Sequence, residues 1–143
     1  MASVLEFVSL LVSQDGDKYV FGHEVSPDDA NPSVFDCSEL VEWGCARLKI
    51  KPKVPDGSWR QFRHCKKEGT DVAVERAILT SGALLFRFKG DPETDGRPEQ
   101  AHVAVSLGNG MTIEARGKAY GVGIFSAEGR GWTHAGLVPG LVP

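Results

Sequence analysis

Apolar residues recur at helical spacing in the first half of the chain and at strand spacing in the second. Leu5, Val8, Leu11 and Val12 fall on one face of a helix that Ser3 and Glu6 open as a capping box and Asp15-Gly16 stops. After the short apolar piece Tyr19-Val20-Phe21-Gly22, the stretch from His23 to Ser33 is rich in Pro, Asp and Asn and reads as loop. Asp36 with Glu39 has the form of a second box. Leu40, Val41, Gly44, Cys45 and Leu48 then make an apolar stripe that Lys51-Pro52 ends. Ser58 with Gln61 has the form of a third, opening a more polar helix closed by Gly69, and a fourth helix is expected within Val72 to Leu79.

Beyond Ser81-Gly82 the period changes. Ala83 to Phe88, His102 to Leu107, Met111 to Ala115 and Val122 to Phe125 read as strands, with a charged surface loop from Lys89 to Gln100. If Gly108-Asn109-Gly110 is a three-residue hairpin loop, Leu107 faces Met111 and Ala104 faces Glu114. Val103, Val105, Leu107, Met111, Ile113 and Ala115 then share a wholly apolar face, and His102 and Glu114 become diagonal neighbours on the other. A two-residue turn would scramble the apolar set, so the hydrophobic pattern selects the register that joins His102 to Glu114. Helices first and antiparallel strands second is an α+β arrangement.

At 143 residues the chain suits one domain spanning 1–143. The tail from Gly136 to Pro143 reads as the start of a linker, as in one module of a longer chain. A net charge of −3 gives no reason to expect a nucleic-acid partner or an anionic membrane surface. The first residues lack a basic segment and Glu6 interrupts their apolar run, so no signal peptide is expected, and no segment is apolar for long enough to span a bilayer. The cysteines Cys37, Cys45 and Cys65 make neither a paired disulfide framework nor a zinc motif.

Cys37 directly follows Asp36, the expected cap. It therefore sits in the first helical turn, where free amides and the helix dipole favour a thiolate, so its pKa is expected to be lowered. Cys45 and Cys65 are read as small buried apolar residues. A histidine serves as base when a carboxylate holds its second ring nitrogen, and Glu114 is placed to do that for His102. A solvated His–Glu pair on an exposed sheet face fits the hairpin equally well. His23, His64 and His134 are read as surface residues.

These pieces resemble, in order, the NlpC family of cell-wall peptidases (the NlpC/P60 group). Tyr19-Val20-Phe21-Gly22 is similar to the family's Tyr-Val-Trp-Gly. Phe35-Asp36-Cys37-Ser38-Glu39-Leu40-Val41 is similar to its Asp-Cys-Ser-Gly-Leu-Val, and Ser81-Gly82-Ala83-Leu84-Leu85-Phe86 to Pro-Gly-Asp-Leu-Val-Phe. His102 to Gly110 is similar to His-Val-Gly-Ile-Tyr-Leu-Gly-Asn-Gly. The resemblance implies a papain-like fold, with N-terminal helices packed on a central antiparallel sheet. It implies a cysteine peptidase needing no metal or cofactor, in which Cys37 attacks, His102 carries the proton and Glu114 fills the third polar position. Tyr19, Asp36 and Ser38 would serve the substrate and the oxyanion. The implied partner is the stem peptide of peptidoglycan, cut between D-γ-glutamyl and a diamino acid by a monomer. Without a leader, such an enzyme would be made in the cytoplasm and act on the wall as a phage lysin or tail component. The same fold also carries non-catalytic wall-binding modules and Cys-His acyltransferases or amidases. Glu39 in place of glycine, Ala83 in place of an acidic residue and His23 in place of a second glycine depart from the pattern around the substrate subsite.

Overall fold

The computed structural model describes residues 1–94 and 96–143. Helix α1 (Val4–Val12) starts on the expected box, with Ser3 Oγ accepting from the Glu6 amide and the Glu6 carboxylate accepting from the Ser3 amide. Its buried face differs from the expected one. Phe7 and Leu11, one turn apart, are fully buried, whereas Leu5 is exposed. The reason is the partner: Phe7 and Leu11 close over Gly44 of α2 (Cys37–Arg47), where the missing side chain lets the two helices meet.

Two short strands, β1 (Lys18–Tyr19) and β2 (Val34–Phe35), pair in parallel and bring Tyr19 beside Phe35. Asp36 then caps α2 through the Glu39 amide at 2.9 Å. The box is not reciprocal, because the Glu39 carboxylate turns away to accept from the Val25 amide at 2.9 Å. Helix α3 (Ser58–Lys67) begins one residue earlier than expected, on Gly57, with no side-chain cap. Gln61 is instead fully buried and donates to the Ser38 and Pro55 carbonyls at 3.0 and 3.1 Å. The expected fourth helix divides into β3 (Asp71–Val72) and the short α4 (Val74–Ile78).

The remaining strands are β4 (Leu84–Lys89), β5 (Glu99–Ser106), β6 (Met111–Ala115), β7 (Val122–Ser126) and β8 (His134–Gly136). Together with β3 they form an antiparallel sheet in the order β3-β8-β4-β5-β6-β7. The hairpin register is the expected one. Val105 pairs with Ile113, Ser106 with Thr112, and Leu107 N–H donates to Met111 O across Gly108-Asn109-Gly110. One face, with Phe86, Val103, Val105 and Ile113, packs on α1, α2 and α3. The other, with Leu85 and Ala135, is also covered, by Ala77 of α4, Ala127 and Trp132. A β-bulge between Lys89 and Arg87 sets Glu99 and His102 one residue out of step. Gln100, at φ 52°, absorbs the extra residue just ahead of His102.

The expected linker tail is folded. Val138 is buried, and the Val4 amide donates to Val142 O at 2.7 Å while the Val142 amide donates to Ala2 O. Strand β8 escaped the sequence pattern because it is three residues long and its alanine and glycine pack against Cys65 and α4. His134, expected at the surface, is partly buried against Phe62 and Phe88.

A Cβ at Gly44 would stand 2.6 Å from Leu11 Cδ2 and 3.2 Å from Phe7 Cε1. Gly44→Val should therefore lower stability by about 1–3 kcal/mol through overpacking, read as a lower urea midpoint at unchanged slope.

Candidate active site

The first turn of α2 opens into a cleft lined by Tyr19, Phe21, Asp36, Cys37, Ser38, Asp56, Trp59, Arg97 and Ala101. The structure thus brings Tyr19, Asp36, Cys37 and Ser38 to one surface. The Asp36 carboxylate ties the turn together: besides capping Glu39 it accepts from the Gly22 amide at 3.1 Å and from Ser38 Oγ at 3.3 Å. Burial pushes its pKa upward against those hydrogen bonds. Burial, then the nearness of Cys37 and Asp36, pushes the Tyr19 phenol up to about 12, so it stays a hydrogen-bond donor.

Cys37 lies against β5, with the Val103 and Ser38 amides directed at its sulfur. The expected lowering of its pKa is not found. Burial, and behind it the Asp36 carboxylate, outweighs the two amides and holds the thiol at about 11. A helix start favours a thiolate, but here the partly buried sulfur is poorly solvated and the capping group beside it is an acid. Cys37 therefore rests as a thiol and needs a base. Burial also raises Cys65 to about 11 and raises Cys45 further; both are sealed in the core.

His102 and Glu114 do share a face, and His102 Nε2 stands 2.9 Å from Glu114 Oε1. The solvated alternative does not describe them: His102 is 9% and Glu114 1% exposed. Burial acts most strongly on Glu114 and raises it. Hydrogen bonds from His102, Arg130 and Thr112 together overcome that and hold the carboxyl at about 2. Arg130 grips it in a fork, Nη2 at 2.5 Å from Oε1 and Nη1 at 3.3 Å from Oε2, while Thr112 Oγ1 donates to Oε2. Trp132 lies nearly parallel to the His102 ring, at 20° and 6.1 Å between centroids.

Arg130, Thr112 and Trp132 were not visible in the sequence as site residues. Thr112 could have been inferred, since it lies two residues before Glu114 on the same face. Arg130 and Trp132 stand among glycines in a loop with no pattern to mark them. The cleft walls Phe21, Trp59 and Arg97 were missed too. The Arg97 guanidinium lies over both rings, 4.7 Å from the Phe21 centroid and 5.6 Å from that of Trp59.

The residues matching the model of the NlpC/P60 family run from 16 to 138 and take in every one of these groups. The chain belongs to the NlpC/P60 family. Among solved structures it is similar to the NlpC/p60 domain of the peptidoglycan hydrolase SagA (24% identity, TM-score 0.70, 94% of this chain and 98% of that one). It is similar to the P60 domain of antigen MAP1204 from Mycobacterium avium subspecies paratuberculosis (26%, 0.69, 94% and 93%). It is also similar to the peptidoglycan hydrolase RipB from Mycobacterium tuberculosis (28%, 0.69, 94% and 64%). It spans 47% of NlpC2 from Trichomonas vaginalis. No curated protein matches. The papain-like α+β fold is that of these NlpC/P60 domains.

Glu39, where the family pattern has glycine, does not enter the cleft. Its carboxyl meets those of Glu42 and Asp56, with oxygens all within 4.8 Å. Burial first, then Glu42 and Asp56, push it up to about 9 despite the Val25 amide. It is protonated at neutral pH and adds no charge beside the nucleophile.

Two outcomes follow from these environments. Iodoacetamide should modify Cys37 ahead of Cys45 and Cys65 in the native protein, by access rather than acidity, as peptide mapping would show; equal labelling would overturn that difference in access. A raised carboxyl binds its proton more tightly folded than unfolded. Its stabilising effect is complete below the ordinary value of 4.5 and lost as pH rises toward about 9. The melting temperature should fall across that interval, and Glu39→Gln should flatten the fall.

Proposed function

We propose that this protein is a cysteine endopeptidase that hydrolyses the stem peptide of bacterial peptidoglycan, at the bond between D-γ-glutamyl and a diamino acid. The observation that carries this is the buried His102–Glu114 pair one residue from the Val103 amide that touches Cys37, which itself lines an open cleft. Family membership and the peptidoglycan hydrolases among the similar structures give the substrate class.

With Nε2–H donated to Glu114, the Nδ1 lone pair of His102 is the one left to take the Cys37 proton. As the S–C bond forms, that proton passes to His102 and the carbonyl π pair moves to oxygen. The Cys37 amide, free at the helix start, and the Tyr19 hydroxyl answer the oxyanion. The imidazolium then gives its proton to the departing amine as the C–N bond breaks, leaving a thioester. Water, deprotonated by His102, cleaves the thioester and restores the thiol. Asp36 and Ser38 hold the turn that presents Cys37 and line the cleft where substrate would lie. Action as a phage lysin or tail component belongs to this proposal and predicts that added protein clears suspensions of susceptible cells.

Mass spectrometry of defined muropeptides should show a single new cut on the carboxyl side of D-γ-glutamate. Cys37→Ala should abolish it with the thermal melt nearly unchanged. Glu114→Gln should retain more activity than Glu114→Ala, which should lose roughly two to four orders of magnitude, as when the carboxylate of a Ser-His-Asp triad is removed. Binding of muropeptides without turnover would make the domain a wall-binding module instead, and transfer of the acyl group to an amine would make it an acyltransferase.

A further inference from the structure

Among the described residues, the cleft at Cys37 is lined by two carboxylates, Asp36 and Asp56, and one cation, Arg97. Both acids are already engaged. Asp36 accepts from the Glu39 and Gly22 amides and from Ser38 Oγ, and the Asp56 carboxyl meets those of Glu39 and Glu42. The Arg97 guanidinium lies over the rings of Phe21 and Trp59, 4.7 and 5.6 Å from their centroids, and makes no ion pair among the described residues. A guanidinium held by its face keeps its N–H groups, which lie in its plane, available to a bidentate carboxylate. Both sides of Arg97 are anchored. Arg63 of α3 donates Nε to Pro92 O at 2.5 Å and Nη2 to Thr94 O, and Pro98 is buried directly after Arg97. Strand β5 begins at Glu99, so the strand that delivers His102 also sets where Arg97 stands. Burial raises both Cys37 and Tyr19, and Arg97 acts on each in the opposite direction, so its charge reaches the nucleophile.

Resting on the peptidase reading above, we propose that Arg97 is a specificity residue: it forks the free α-carboxylate that a D-γ-glutamyl residue carries beside the bond to be cut. A γ linkage runs the chain through the side-chain carboxyl. It leaves the α-carboxylate on the carbon two methylenes from the scissile carbonyl, close enough for both to lie in one cleft. In the diamino residue of a longer stem, one carboxyl continues the chain and the other stands at the far end of the side chain. A carboxylate entering past Asp36 and Asp56 needs a compensating cation, and Arg97 lines the cleft to provide it. Amidating the α-carboxylate removes the charge and sets N–H donors against those of the guanidinium, so the site discriminates against the amide. A second guanidinium, Arg60, lies 5.2 Å from the Trp59 centroid but does not line the cleft, and so provides a control.

Four matched stem peptides test this: the α-carboxyl of D-glutamate free or amidated, each with the side-chain carboxyl of the diamino acid free or amidated. Calorimetric affinity for the Cys37→Ala protein reads binding without turnover. Arg97 is exposed, so the free α-carboxylate should bind only about tenfold tighter than its amide, whichever form the diamino acid takes. Adding Arg97→Met should abolish that ratio by weakening the α-carboxylate peptides alone. Arg97→Lys should keep part of it, and Arg60→Met should leave it intact. A merely structural role would weaken carboxylate and amide alike, and that result overturns the proposal. So do equal affinities in the Cys37→Ala protein, no binding of any of the peptides, or a ratio that follows the diamino acid's carboxyl instead. Turnover of the same peptides by the wild-type protein tests the peptidase reading separately. If the ratio is seen in binding while no peptide is cut, the peptidase assignment fails and the role of Arg97 stands. If all are cut with equal kcat/KM, the role of Arg97 fails and the peptidase assignment stands.

Discussion

Glu114 must be ionised to orient a histidine, yet it is sealed between sheet and loop, and both demands hold only because each of its oxygens is answered. Water is replaced by His102, Thr112 and the fork of Arg130. That requirement constrains much of the surrounding structure. The three-residue hairpin must keep its register, or Glu114 moves to the apolar face. The loop after β7 must return across the sheet to deliver Arg130 and Trp132, and β8 must follow to close that side. The covered second face is what gives the pair the low dielectric in which a carboxylate–imidazole contact is strong.

The nucleophile depends on a separate constraint, the start of α2. Asp36 binds its own helix, the Gly22 turn and Ser38 at once, so one carboxylate fixes the loop that carries Phe21 and the residue that follows Cys37. Gln61 adds a second tie from α3 to the Ser38 carbonyl and to the segment leading to Asp56. Helix α2 is seated in turn by its packing on α1, where Gly44 removes the side chain that would hold them apart. The cleft is therefore built by contacts between elements, and its walls come from four separated segments, around Tyr19, Cys37, Trp59 and Arg97.

This division decides what could be read from the sequence. Periodicity and capping chemistry located α1, α2, the long strands and the hairpin, because each is specified by neighbours a few residues away. The register followed from a purely local argument, and with it the His102–Glu114 contact. Phe7 was missed because the buried face of α1 is chosen by Gly44, some 37 positions on. Gln61 looked like a cap and is a buried tie, since its partners lie in another helix and a loop. Arg130 and Trp132 carry no local signal at all; their importance exists only once β7 and β8 flank the hairpin. The acidity of Cys37 was misjudged for a related reason. Its helix position is local, while its burial against β5 is tertiary, and burial is the larger effect.

Glu39 and Glu114 show the same principle from opposite sides. Both are almost wholly buried glutamates, at 4% and 1% exposure. One is pushed up to about 9 and the other held at about 2. Burial raises both, so burial cannot be the difference. Glu39 has one backbone amide and two acids for company, and in that setting the proton is the cheapest partner available. Glu114 has a guanidinium, an imidazole and a hydroxyl, all donors, and a proton would displace better hydrogen bonds. The acid beside the nucleophile is thereby kept neutral, where a second negative charge next to Asp36 would oppose attack on a peptide carbonyl. The acid behind the base is kept charged, where a neutral group would hold the ring less firmly through the proton transfer. The same side chain is placed twice in one site, and its neighbours alone determine which of the two states each copy adopts.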